Sequence, residues 1–548
     1  MPENLAPRPE AIVLVGYGPV GARFAEELLP LVRAGLAELT IVGAEAADAY
    51  NRVLVAEYAV GHAARDALEI TDPGAARDAG VRILTGVSVV SINRTRRTVT
   101  LGDGEDLAYD RLVLATGARA NVPTLAGVTR VRRDRMRPPR DPATLDSAEA
   151  PLPRGITALR DLADADAVLE AVRAGRRIVV LGAGVLGMEI ALAAARGGAE
   201  VCVVHHGPTP MARNLDRGGG SVLTSAARRA GVSMVANSRA ESVVYHLDDD
   251  GVERFDGLVC ADGKQIRGDL LLLSCGVGAR TELAQLSGLS VSMGVLVDER
   301  LSSWDDPRIF AIGDCAQIAP RQAVGASSAA PSGAPSGLVG PGWRQADWLA
   351  ASFAAELGAS APLDGPPLAA ERPALVLLKA EGIDVAAAGD VTMEPWDDTG
   401  SDHSGDCAAA PRRVSQWADP EHGRYVKMVT RAGVLEGFVC VGMPRTAAEL
   451  TLLFERGSEL PADRSVLLRF DGPDYEDAAG AFAPDATVCW CNGVTVGAIS
   501  DSAAKGNDTV ACIGSATRAG TGCGGCKVRI GEVLEQFARS AEPQELVP

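Results

Sequence analysis

The sequence predicts an α/β chain built on two dinucleotide-binding units, followed by a small α+β segment and a short module that carries cysteines. Three observations lead there. Two glycine fingerprints each join a strand-like run to a helix-like one. A second strand follows each fingerprint at the distance a βαβ unit requires. Four cysteines fall into two close pairs near the C-terminus.

The first unit opens with AIVLVGYGPVGARFAEEL (11–28), an apolar run, then Gly16-x-Gly18-x-x-Gly21, then a helical pattern. The second, RRIVVLGAGVLGMEIALAAA (176–195), repeats it with Gly182, Gly184 and Gly187. In such a loop the first glycine permits the tight turn and the second lets the backbone approach a pyrophosphate. The third lets helix and strand pack closely, so that the helix N-terminus faces the negative charge. The next strands are LTIV (39–42) and VCVV (201–204). Glu45 follows the first of these, where a carboxylate accepts hydrogen bonds from a ribose. His205 and His206 follow the second, with Arg213 beyond them. An acid there favours NAD and a basic group NADP, so the nicotinamide donor stays open.

Two further strands end in chemistry-bearing turns. YDRLVLATGARA (109–120) runs into Ala115-Thr116-Gly117, and DDPRIFAIGDCAQI (305–318) ends in Gly313-Asp314. Later, ALVLLKAEGIDVAAAGD (374–390) and RYVKMVTRAGVLEGFVCVG (424–442) read as β-rich elements with turn glycines, the α+β segment. Residues 128–154, 319–337 and 394–413 are charged, small or aperiodic and read as flexible insertions.

Composition bounds the function. With 548 residues the chain has room for several domains. At 47% hydrophobic and 23% charged it is globular in character. A net charge of −18 argues against nucleic acid or an anionic membrane as partner. MPENLAPRPEAIVLV lacks a basic leader and runs straight into the glycine loop, so it reads as a buried strand. No apolar run reaches membrane-spanning length, and a cytoplasmic location is expected.

The eleven cysteines do not suggest a disulfide framework. Cys202, Cys260, Cys275, Cys315, Cys407 and Cys440 are scattered singly and read as small buried thiols. Cys489-x-Cys491 and Cys523-x-x-Cys526 are the exception. Zinc in a four-thiolate site and a two-iron cluster are the rival occupants, and free thiols the third reading. A C-x-C half is tight for zinc, whereas two irons can each take one close pair of thiolates. Gly522, Gly524 and Gly525 let the backbone come near. Cys512 lies outside the pattern and reads as a buried thiol, with a substitute ligand as the other reading.

Taken in order, GxGxxG, ATG, the second GxGxxG and FAIGD resemble the pyridine-nucleotide–disulfide oxidoreductase superfamily. That resemblance implies two nested Rossmann-like domains, with FAD and NAD(P)H as cofactors. It places FAD against Gly16, Gly18, Gly21, Glu45, Arg52, Thr116, Gly117, Gly313 and Asp314, the aspartate holding the ribityl chain. NAD(P)H falls to Gly182, Gly184, Gly187, Glu189, His205 and Arg213, with Glu189 near the nicotinamide and no certain catalytic side chain. Its boundaries are 1–127 and 270–350 for FAD, 155–269 for NAD(P)H, 365–470 for the α+β domain and 484–538 for the last module. AYNRVLVAEYAVG (49–61) contains no redox cysteine pair. Instead, Tyr50-Asn51-Arg52 resembles the Y-[DN]-R element of the ferredoxin- and nitrite-reductase branch, whose arginine lies near FAD.

The L-K-x-x-G-I-D-V-x-x-A-G segment around Lys379 resembles the third domain of nitrite reductase large subunits and nitrate reductase electron-transfer subunits. The string around the four cysteines is similar to the helical bacterioferritin-associated-ferredoxin module. That likeness implies a [2Fe–2S] cluster on Cys489, Cys491, Cys523 and Cys526. The resemblance as a whole implies electron transfer from NAD(P)H through FAD and the cluster. The expected acceptor is the catalytic subunit of an assimilatory nitrate reductase or another redox protein. A ferredoxin- or rubredoxin-type reductase and a redox-sensing flavoprotein are the alternatives. No sirohaem portion follows Cys526 in this sequence, so nitrite reduction by this chain alone is not expected.

Overall fold

The computed structural model describes residues 8–128, 152–321, 331–361, 375–380, 382–397, 410–471 and 482–541. Most of the three expected insertions, and Cys407, lie outside them, as does the side chain of Lys379.

Five parallel strands make the first sheet, in the order Ile309–Ala311, Arg111–Leu114, Glu10–Val15, Ala37–Gly43, Arg82–Thr85. The second sheet is also parallel: Ser233–Val235, Glu200–Val204, Arg177–Leu181, Leu270–Leu273, Ile156–Thr157. Its strands lie in the chain between Arg111–Leu114 and Ile309–Ala311 of the first. The expected boundary at 269/270 therefore moves. Leu270–Leu273 pairs with Arg177–Leu181, because four consecutive buried leucines suit a strand covered on both faces.

Both glycine loops repeat one geometry. Gly16 has φ +113° and Gly182 φ +111°, which an L side chain rarely adopts. A Cβ on Gly16 would lie 2.1 Å from the Ala115 carbonyl oxygen, and one on Gly182 2.2 Å from that of Ser274. The crossing to the neighbouring strand is thus what forbids a side chain at the first glycine.

Residues 376–441 form a five-stranded antiparallel sheet in the order Val376–Ala380, Ile383–Gly389, Val434–Val441, Arg424–Arg431, Arg412–Asp419. Helix Pro444–Arg456 packs its Leu450 and Phe454 with Phe438 and Met428 of this sheet. Leu378, Val385, Tyr425 and Val439 of the same sheet join the core of the second dinucleotide unit. The last module holds a short hairpin (Thr487–Cys489, Val494–Thr495) and helices Val496–Ala503, Val510–Thr517 and Lys527–Ala541 around Ile499, Ile513 and Ile530. Cys512 is exposed on the second of these helices, not buried as the sequence suggested. Ile513, the next residue, takes the inward position, and the helical period turns Cys512 to solvent. Among the described residues no helix is long and apolar enough to cross a membrane.

Candidate functional site

One cavity of about 2580 Å³ runs from the first glycine loop to the cysteine pairs. Gly16, Gly18, Glu45, Arg52, Thr116, Gly117, Glu189, Gly313, Asp314 and all four paired cysteines line it. Gly21, Gly182, Gly184, Gly187, His205 and Arg213 do not.

Helix Pro19–Arg33 begins at Gly18 and Val185–Arg196 at Gly184, neither with a side-chain cap. Their first N–H groups are thus left for another acceptor, as at an anion site. A Cβ on Gly184 would meet nothing within 4 Å, and one on Gly18 only Arg52 Nε at 3.7 Å. The space above both turns suits a pyrophosphate.

Glu45 closes the strand Ala37–Gly43 and is gripped on both oxygens. Arg52 is hydrogen-bonded to Oε1, and the Tyr50 hydroxyl donates to Oε2 at 2.7 Å. Burial favours the neutral acid, but Arg52 and Tyr50 outweigh it and hold the Glu45 carboxyl below its usual range. An ionised acceptor at this point fits a ribose. Arg52 also donates to the Arg160 carbonyl at 3.1 Å. Arg160 in turn reaches Asp314 at 3.3 Å and the Ala118 carbonyl at 3.1 Å. Thr116 Oγ1 donates to the Arg280 carbonyl at 2.9 Å, and Gln345 accepts from the Gly313 N–H at 2.7 Å. Arg160 is a cavity residue that sequence reasoning missed. It follows Leu159, whose φ is +41°, a conformation a leucine sequence does not announce.

On the nicotinamide side Glu189 faces the cavity from helix Val185–Arg196. His205 is only 5% exposed, and its Nε2 has no hydrogen-bond partner. Burial first, then the neighbouring His206, pushes its pKa below 6.5. His205 is buried and does not line this cavity, whereas His206 and Arg213 are exposed.

In the last module Cys526 is hydrogen-bonded to Cys489. That bond lowers the Cys489 pKa against the effect of burial. The Gly520 and Asn492 N–H groups help, as does Asn492 Nδ2 at 3.8 Å from the sulfur. A sulfur surrounded by donors is stabilised as thiolate, the form that binds iron. Cys523 acts on Cys526 through charge, so three of the four sulfurs share one corner. Across from Cys491, a Cβ on Gly340 would lie 3.2 Å from its carbonyl oxygen. Helix Val339–Glu356 therefore points its N-terminus at the second pair member. Among the described residues no group of three His, Cys, Asp or Glu is arranged to hold a single metal ion.

The family model for pyridine nucleotide-disulphide oxidoreductases matches residues 10–330. The chain belongs to this family. A second match, the BFD-like [2Fe-2S] binding domain, covers 487–536. This oxidoreductase accordingly takes FAD and NAD(P)H as cofactors, with a [2Fe–2S] cluster in its C-terminal module. It is 26% identical over 527 residues to Nitrite reductase [NAD(P)H] of Bacillus subtilis (strain 168), covering 96% of this chain and 57% of that protein. To the assimilatory nitrate reductase electron transfer subunit of the same organism it is 26% identical over 539 residues, covering 97% and 60%. The chain thus spans little more than half the length of these relatives. The crystal structure of the covalent putidaredoxin reductase–putidaredoxin complex shares the fold, with TM-score 0.63 and 21% identity over 85% of this chain and 99% of that one.

Proposed function

We propose that this oxidoreductase is an electron-transfer subunit, passing electrons from NAD(P)H to a protein acceptor, the catalytic subunit of an assimilatory nitrate reductase. The observation that carries the reading is the unbroken cavity from the glycine loop at Gly16 to the cysteines at 489, 491, 523 and 526. When bound, FAD accepts an electron pair as hydride, and a [2Fe–2S] group passes electrons on one at a time.

The residues divide the work. Gly18 and the free N–H groups behind it receive the pyrophosphate of FAD, Glu45 its ribose, and Asp314 its ribityl chain. Glu189, which lines the same cavity, would contact the nicotinamide. Arg160, held between Asp314 and Ala118, keeps the two ends of the flavin site in register. The cysteine corner opens on the same cavity, so no redox thiol is needed beside the flavin. The acceptor is supported by the likeness to the nitrate reductase subunit over almost the whole of this chain.

An anaerobic visible and EPR titration with NADH and, separately, NADPH tests the reading. Flavin bleaching followed by a one-electron cluster signal is expected, with fast delivery to a nitrate reductase partner. Slow or absent turnover would mark a sensor. Fast dye reduction without delivery to that partner would mark a reductase for another acceptor.

A further inference from the structure

Three consecutive residues face two ways. Tyr50 and Arg52 grip Glu45 in the dinucleotide-binding unit, while Asn51 between them turns into the C-terminal module. Asn51 is 2% exposed. Its Nδ2 donates to the Gly522 carbonyl at 2.6 Å and to the Thr521 carbonyl at 3.1 Å, and its Oδ1 accepts from the Val53 N–H at 3.0 Å. Two carbonyls demand a donor and an N–H demands an acceptor, so only a carboxamide satisfies all three.

The loop it holds has little freedom. A Cβ on Gly522 would lie 2.9 Å from Cys491 Cβ and 3.4 Å from the Trp343 ring. Trp343 Nε1 is itself donated to the Pro19 carbonyl at 3.1 Å, beside the first glycine loop. Gly522 is thus pressed against one cysteine pair and bonded directly to Cys523 of the other. Movement of its peptide shifts both pairs relative to the flavin cavity.

We propose that Asn51 is a positioning residue, clamping the Cys523 loop to the dinucleotide-binding unit so that a cluster held by that loop would keep a fixed separation from the flavin site. Tunnelling falls steeply with separation, and the hydride step does not involve this loop. The redox consequence rests on the function proposed above. The clamp itself does not, because it is a property of the polypeptide.

Asn51→Asp and Asn51→Ala in the full chain separate the roles. The aspartate keeps the acceptor for Val53 and loses both donations, while the alanine loses all three contacts. Hydrogen–deuterium exchange on the purified full-length protein reads the clamp directly. Residues 518–526 are expected to exchange about tenfold faster in both variants, the effect of two lost hydrogen bonds, while helix Arg217–Arg229 is unchanged. Faster exchange in the alanine variant alone reduces Asn51 to a cap for residues 52–54 and overturns the proposal, as does unchanged exchange in both. In stopped-flow spectra, cluster reduction is expected to slow about tenfold relative to flavin bleaching, with an altered EPR line shape for the reduced cluster. Equal slowing of both phases, or of neither, overturns the positioning role. A wild-type protein free of iron and labile sulfide sinks the functional reading instead, and the exchange comparison still decides the clamp.

Discussion

Lys427 Nζ lies 3.3 Å from Asp216 Oδ2, and no part of the lysine side chain reaches solvent. Asp216 caps helix Arg217–Arg229 through the Gly219 N–H at 3.2 Å and is also bonded by the Tyr425 hydroxyl. One carboxylate of the second dinucleotide unit therefore answers two side chains of the antiparallel domain. Removing one partner of a buried pair leaves the other charge uncompensated, which costs about 3–5 kcal/mol. Lys427→Met is expected to lose that much in urea unfolding, and Asp216→Asn added to it to recover part. A Lys427→Met protein as stable as wild type would show that the Gly219 N–H and the Tyr425 hydroxyl compensate the Asp216 carboxylate without the lysine.

His205 gives a pH dependence with a definite sign. Its pKa in the folded chain lies below the ordinary 6.5, so the unfolded chain binds the proton more readily. Its contribution is complete above pH 6.5 and is lost as pH falls from there toward the lower folded value. His205→Asn is expected to flatten the stability profile between pH 7.5 and 5.5 in paired urea titrations. An equally steep profile in the variant assigns the slope to other groups.

Much of the fold was legible in the sequence, and for a physical reason. The fingerprint glycines are dictated locally, by a turn at φ near +110° under a crossing strand, and a local rule leaves a local signature. Glu45 was readable because it ends a strand at a fixed place in the unit. His205, expected beside the nicotinamide cofactor, is buried in the structure. It keeps pairing beyond the strand, donating to Val235 and accepting from Ser238, so it stays on the inward face two residues after Val203. The Asn51–Gly522 and Lys427–Asp216 contacts join residues 471 and 211 positions apart. No spacing rule reaches that far, and neither residue type is unusual for its strand or turn.

The two kinds of fingerprint glycine predict opposite outcomes. Gly16→Ala forces a Cβ into the Ala115 carbonyl at positive φ, a cost of roughly 3 kcal/mol or more. It is expected to lower the melting temperature and empty the flavin site together. Gly184→Ala meets nothing in the protein, so stability should stay within about 0.5 kcal/mol while the KM for the nicotinamide donor rises several-fold. An unchanged KM in Gly184→Ala would mean that the pyrophosphate does not approach the second loop.

Cys523→Ser tests where electrons leave. The serine is nearly isosteric, and residue 523 is only half-buried, so the module should stay folded with a change in stability below about 1 kcal/mol. An alkoxide is a poorer partner for iron than a thiolate, since a hydroxyl holds its proton far more tightly. Iron and labile sulfide per chain should therefore fall, while the flavin absorbance stays, because Cys523 belongs to the C-terminal module and not to the residues assigned to the flavin. Dye reduction by NAD(P)H should continue, since small dyes take electrons at the flavin cavity. Delivery to a protein acceptor should fall by at least tenfold. If delivery persists in protein shown by analysis to lack iron, electrons exit from the flavin directly, and the cysteine corner serves another purpose.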